Sequence, residues 1–354
     1  MCTFGGGVRW APARRARAGK TYSAGAAAAH HLRITNACHE PNFIVTLYSP
    51  TADFSARDAA IAINSYTTVL RRPQVPHELF ATYWRDVHGP LCSRIPGLGW
   101  YVQTHFSREQ DAHLWPAVEG VTPFDDYPLD GGVEIGYLSA DDQQRFDDAC
   151  SLLFADEQNM FAATVAYALP DGSTTLVDRI VEPSPNADDG LDRIHLHLGA
   201  AHGDAAAFAA RVDALARALA ADPALLKVRL HLPERYDNAD PAPPAPDVDH
   251  QVAEERLLIA VLEMVFVSPL QRRTFYASPA FAEATQGLGQ HVAHATGFGV
   301  SGVYTYVRDR RLTLAGLRGS RAAQLIERLG AVNQVDEQVR TLMLTGEVAP
   351  SPEA

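Results

Sequence analysis

Cysteine is scarce in this chain, with four in 354 residues, Cys2, Cys38, Cys92 and Cys150. None lies two residues from another, so the spacing builds neither a disulfide framework nor a cysteine-based zinc or redox motif, and reduced thiols in a cytoplasmic protein are the plain reading. Long apolar runs are missing as well. No stretch approaches the roughly 18 residues that a membrane span needs. Basic charge is outnumbered, 30 Lys and Arg against 42 Asp and Glu, for a net charge of −12. Neutralising nucleic-acid phosphates takes a clustered basic surface, so a nucleic-acid partner is excluded. Nucleotide and hydrolase signatures are absent too. Residues 316–321, GLRGSR, lack the Gly-x-x-x-x-Gly-Lys pattern and read as a helix start with Ser320 near the cap, and no Gly-x-Ser-x-Gly elbow occurs.

Acidic residues are absent up to Glu40, while Arg9, Arg14, Arg15, Arg17, Lys20 and Arg33 stand among Ala and Gly. The alanine run is too weakly apolar for a signal-peptide core, so 1–42 reads as a disordered basic extension. The rest has an ordinary globular composition, 47% hydrophobic and 20% charged, and length alone suggests two domains at about 150 residues each.

What is present is concentrated in residues 71–107. Leu79, Phe80, Tyr83, Trp84, Val87, His88 and Leu91 fall on one helical face, with Glu78, Arg85 and Asp86 off it. Pro90 cannot continue a helix and biases Gly89 away from helical angles. The pattern therefore predicts a helix over 75–89 that stops at His88, whose ring would titrate near neutral pH in the last turn. A strand follows over 100–106.

Phe80, Tyr83, Trp84, His88, Pro90 and Leu91, followed by Pro96, Gly97, Tyr101, Val102 and Gln103, resemble the signature of the EthD family, named for ethyl tert-butyl ether degradation. The resemblance is specific over about forty residues. It implies a dimeric α+β barrel, in which two four-stranded ferredoxin-like sheets, each backed by helices, close round a cavity. That superfamily hosts cofactor-free monooxygenases, isomerases, dehydratases, decarboxylases and haem enzymes, so the family leaves the reaction open.

Elsewhere the chain repeats one order, β-α-β-β-α-β, after an apolar run at 43–48 of uncertain role. In the first round, 43–182, strands are expected at 64–72, 100–106, 133–138 and 163–169, and helices at 75–89 and 141–154. In the second, 191–340, strands are expected at 194–198, 225–232, 257–267 and 300–307, and helices at 205–221 and 281–294. The fold class is α+β. Two tandem ferredoxin-like units would close as two packed sheets within one chain, which simpler family members build from two subunits. Insertions at 108–130 and around Pro241–Pro246 interrupt equivalent places and would border one mouth of the barrel.

His88 is the candidate acid/base. Tyr83 and Trp84 belong to the buried stripe and would form the wall of the substrate site. Alternation on 100–106 puts Trp100, Val102, Thr104 and Phe106 on one face, assigned to the helices, and Tyr101, Gln103 and His105 on the other, assigned to the barrel interior to position substrate. His195 and His197 share a strand face, and with His231 they could orient a phenol or carbonyl. Glu134 and Glu263 interrupt apolar strands and must be paired, protonated or facing a cavity, Arg229 and Arg308 being the cations that would pair with them. The His-x-His pair has no completing ligand by spacing, so no metal is predicted. No cofactor is predicted either, although the resemblance leaves haem open. These readings converge on an EthD-like enzyme for a hydrophobic, oxygenated small molecule, using cofactor-free acid/base or oxidative chemistry. Its rivals are a haem or metal oxidoreductase on the same fold and a non-catalytic carrier serving a partner oxygenase. A homodimer is a further open partner.

Overall fold

The computed structural model describes residues 54–111, 114–201, 203–241 and 245–348. The expected extension at 1–42 and the apolar run at 43–48 lie outside the described residues. The order is α1 Phe54–Ala60, β1 Ile63–Arg71, α2 His77–Tyr83, a π turn Trp84–His88, α3 Gly89–Ser93, β2 Trp100–Phe106, β3 Gly131–Tyr137, α4 Ala140–Ala149, α5 Ser151–Glu157 and β4 Phe161–Leu169. Then come β5 Thr174–Asp178, β6 Asn186–Ala187, β7 Asp192–Ala200, α6 Ala205–Ala221, β8 Leu225–His231, β9 Ile259–Phe266, α7 Pro269–Tyr276, α8 Pro279–Thr285 and β10 Val292–Arg308. The chain continues through β11 Arg311–Leu312, α9 Leu314–Arg318, α10 Ser320–Leu329 and α11 Glu337–Thr345. No helix of the described residues is long and apolar enough to cross a membrane.

Helices cover antiparallel strands, which makes the protein α+β. The strand path runs β4-β1-β3-β2-β10-β7-β9-β8-β5. It forms one continuous sheet, where two separate sheets were expected. The reason is β10, whose 17 residues are long enough to pair twice. Its first part, Val292 to Gly299, pairs with β7, and its second, Val300 to Val307, pairs with β2. The helix expected at 281–294 ends early for the same reason. Gly287 adopts φ +68°, which a left-handed glycine does at little cost, and Val292 then enters the ladder with β7.

Period-two alternation gives each strand two buried faces. The outward face of β1, β3 and β4 meets α2 to α5, with Val69, Val133 and Phe161 against Phe80, Trp84, Phe146 and Leu153. The outward face of β7, β8 and β9 meets α6 to α8, with Ile194, Leu196, Val228 and Leu262 against Phe208, Leu215, Phe275 and Phe281. The inward faces meet each other: Tyr66, Val165, Tyr167 and Leu169 pack on Ile259 and Val261. The loops before β3 and before β9 touch where Arg256 lies 4.8 Å over the Tyr127 ring and Phe124 and Tyr236 join the interior cluster, while Ala245 joins the cluster on the outward face.

Candidate active site

Between the outward face of the first strands and α3, α4 and α5 lies a cavity of about 410 Å³. Val69, Val133, Ile135, Trp84, Phe146 and Phe161 make most of its wall apolar, while His88, Tyr101, Asp147 and Glu157 supply polar groups. This is the volume and character of a small-molecule pocket. The corresponding outward face of the second half meets a filled core, where Phe208, Phe275, Phe281 and Leu288 are all buried.

His88 does not end its helix. The chain passes through the π turn Trp84–His88, in which the Gly89 N–H reaches back five residues to the Trp84 carbonyl, and runs on as α3 with Pro90 in its first turn. Proline removes one helical N–H, and a π turn is a known way to absorb that loss. Side chains from other strands complete the hydrogen bonding of its carbonyls. The Tyr306 hydroxyl donates to Arg85 O at 2.7 Å, and Gln103 Nε2 donates to Trp84 O at 3.2 Å.

The buried His88 places Nδ1 2.8 Å from Asp156 Oδ2, and the Tyr83 hydroxyl donates to Asp156 Oδ1 at 2.5 Å. Asp156 sits in the last turn of α5, where the carbonyl end of the helix disfavours a carboxylate. Burial also pushes its pKa up, yet the hydrogen bonds from His88 and Tyr83 prevail and hold it below the ordinary carboxylate value. An ionised carboxylate only accepts, so Nδ1 carries the proton in this contact, which leaves Nε2 as the nitrogen not engaged with Asp156.

The faces of β2 are the reverse of the expectation. Tyr101, Gln103 and His105 point outward to the helices, and Trp100, Val102 and Phe106 point into the barrel. The physical reason is Trp84, which stacks on His105 at 4.2 Å with an 18° interplanar angle and takes that face for the π turn. Tyr101 thereby lines the cavity, with its phenol pKa pushed up by burial. Gln103 lies behind it, donating to the Tyr101 hydroxyl at 2.6 Å. His105 is sealed under Trp84, and burial holds its pKa well below the usual histidine range. Gln103 and His105 are structural supports of the cavity and do not line it.

The other expected site residues gather between the inward faces of the strands, away from the cavity. Tyr66 OH lies 2.8 Å from His195 Nδ1 and 3.0 Å from His197 Nε2, and Tyr127 OH lies 2.9 Å from His197 Nδ1. Burial lowers His195 to about 4 and His197 well below the ordinary value. Glu134 opposes Tyr66 on β1 and Val102 on β2, while Glu263 opposes His195 on β7 and Arg229 on β8. The two carboxylates thus hold equivalent positions in the two rounds of strands. Arg229 forks onto Glu134, and Asn64 Nδ2 donates to it at 2.5 Å. Lys227 Nζ lies 2.7 Å and His231 Nε2 3.0 Å from Glu263. Ligand atoms of Glu134, His231 and Glu263 fall within 4.8 Å of one another. A divalent cation there would compete with Arg229 and Lys227 for carboxylates they already neutralise, so the donor set reads as an ion-pair network. Haem does not fit the cavity: its lining holds Asp147 and Glu157, and no lysine or arginine to pair two propionates.

Asp156 and Glu157 escaped the sequence reading because a short Asp-Glu pair at a helix end looks like any solvated surface. Tyr66 escaped it because a Tyr in a Thr- and Val-rich strand signals only β propensity.

The class these observations define is an antiparallel α+β protein with an apolar cavity between strands and helices and a carboxylate-held histidine in its wall. No family model matches the chain, and no curated protein matches it. Among solved structures it is similar to a candidate monooxygenase from Fusobacterium nucleatum subsp. nucleatum, with 8% identity and a TM-score of 0.45, covering 70% of this chain and 94% of that one. A candidate monooxygenase from Lactobacillus acidophilus NCFM follows at 11% identity and TM-score 0.39, covering 69% and 96%. An anthrone oxidase-like protein follows at 11% and 0.40, covering 70% and 95%. Likenesses at such identities and scores carry no argument about the chemistry of this chain.

Proposed function

We propose that this protein is an EthD-like enzyme that binds an apolar, oxygenated small molecule in the cavity and moves a proton with His88. The observation that carries this reading is the 2.8 Å contact of His88 Nδ1 with Asp156 at the wall of a cavity of about 410 Å³. Asp156 orients the ring and supports its imidazolium form, so Nε2 accepts a proton from bound substrate and returns it. Trp84 and Tyr101 form the wall against which a ring would lie. The strand orders β4-β1-β3-β2 and β10-β7-β9-β8 support reading the chain as two fused ferredoxin-like units closed on each other, with catalysis in the first. Cys92 and Cys150 are free thiols, which supports a reducing, cytoplasmic setting.

A fused-ring ketone such as 1-tetralone tests this. Its hydrogens beside the carbonyl exchange with deuterium in D2O when a base removes them, and proton NMR follows the exchange. The wild-type protein should accelerate it, and His88→Gln should lower the rate about a hundredfold or more. Undiminished exchange in folded His88→Gln would overturn the reading, and tight binding without any exchange would favour a carrier.

A further inference from the structure

Glu157 follows Asp156 at the end of α5 and lines the same cavity as His88. Its hydrogen bond to a described side chain comes from Thr164 Oγ1 at 3.5 Å, the long limit for such a bond. The charged or titratable groups that face it are His88 on the π turn, His250 from the loop before β9, Asp156 beside it, and the thiols of Cys92 on α3 and Cys150 just before α5. Asp147 on α4 faces the same space. Burial against the apolar wall pushes the Glu157 pKa up, and the two histidines offset only part of that. Two adjacent carboxyls therefore sit in opposite environments: donors pull the pKa of Asp156 down, and burial in the cavity wall pushes that of Glu157 up. Such pairs divide acid and base roles.

We infer that Glu157 is the acid partner of His88, donating to the carbonyl oxygen of a ring-containing ketone while His88 takes a proton from the adjacent carbon. This deepens the proposed function and rests on it. In the step, the C–H bond breaks and its proton goes to His88 Nε2. The electron pair forms the C=C bond of the enol. The carbonyl π pair takes the Glu157 proton, leaving imidazolium and carboxylate, which exchange protons with water to restore the starting forms. Keto and enol have the same atoms and electrons, so no oxidant is consumed.

The test uses 1-tetralone labelled with carbon-13 at the carbonyl. On binding to wild-type protein, and equally to His88→Gln, the carbonyl stretch should shift to lower wavenumber, because the hydrogen bond to Glu157 does not need the base. Glu157→Leu should remove the shift and slow deuterium exchange on the order of a hundredfold. Glu157→Gln, which preserves shape and a donor, should keep part of the shift, slow exchange about tenfold and lose the alkaline limb of the rate profile. An unshifted carbonyl in the wild type overturns the inference. So does full exchange with an unchanged alkaline limb in folded Glu157→Gln, even where His88→Gln still abolishes exchange and the His88 reading stands.

Discussion

At the scale of single residues, the proposed site is a histidine held by one carboxylate. Asp156→Asn replaces an acceptor with an amide that can present its donor, and the His88 tautomer then inverts. Exchange of 1-tetralone should fall about a hundredfold or more with binding little changed, as an NMR titration would show. The same substitution has a signed effect on stability. The Asp156 pKa lies below its ordinary 3.8 in the folded protein, so its contribution is present above that value and is lost as pH falls through the folded one. Urea midpoints of wild type and Asp156→Asn should differ at pH 7 and converge as the pH falls well below the ordinary carboxylate range. Gln103 acts differently. It donates to Trp84 O and Tyr101 OH, and its Oε1 lies 3.1 Å from the Tyr306 hydroxyl, all within the core. Gln103→Leu strands several buried groups and should lower stability by about 1–3 kcal/mol, read as a fall in Tm with no change in the pH profile of exchange.

Among the elements, the π turn decides where His88 points. A regular helix broken at Pro90 would leave the ring at a frayed end. The π turn instead carries it into the wall between α2 and α3, where Asp156 from α5 meets it. Gly89 makes this possible, since a Cβ there would overlap the Tyr306 ring that caps the Arg85 carbonyl. Gly89→Ala must push Tyr306 away or unwind the turn. An overpacked core of this kind loses about 1–3 kcal/mol, and the displaced turn should also slow exchange. Equal stability with full exchange would show that the turn is not needed to position His88.

For the molecule as a whole, strands from the first and last parts of the sheet path are joined through polar groups between their inward faces. Tyr66 from β1 meets His195 and His197 from β7, and Glu134 from β3 meets Arg229 from β8. Buried neutral histidines make that joint sensitive to acid. His195 falls from 6.5 to about 4 on folding, so the unfolded chain takes up a proton first as pH drops between those values. Stability should be full above pH 6.5 and lost by roughly 3 kcal/mol as pH falls to 4 from this group alone. His195→Gln, which cannot charge, should flatten that segment of the urea-midpoint profile. An unchanged slope would place the acid sensitivity elsewhere.

The sequence by itself determined the order of β1 to β4 and of β7 to β10, the burial of Phe80 and Trp84, though not of Leu79 and Val87, which the same spacing put on that face and which are exposed, the prominence of His88 and the need for Glu134 to find a cation such as Arg229. These are readable because periodicity and an isolated charge in an apolar run are local properties. Tertiary structure alone decided which face of β2 met the helices, since alternation defines two faces without ranking them and only the seat of Trp84 breaks the tie. It also decided that Pro90 is carried through a π turn, because the compensating donors, Tyr306 and Gln103, come from distant strands. Asp156 became the partner of His88 only when α5 folded over α3, sixty-eight residues along the chain. Spacing in sequence cannot register a contact of that kind.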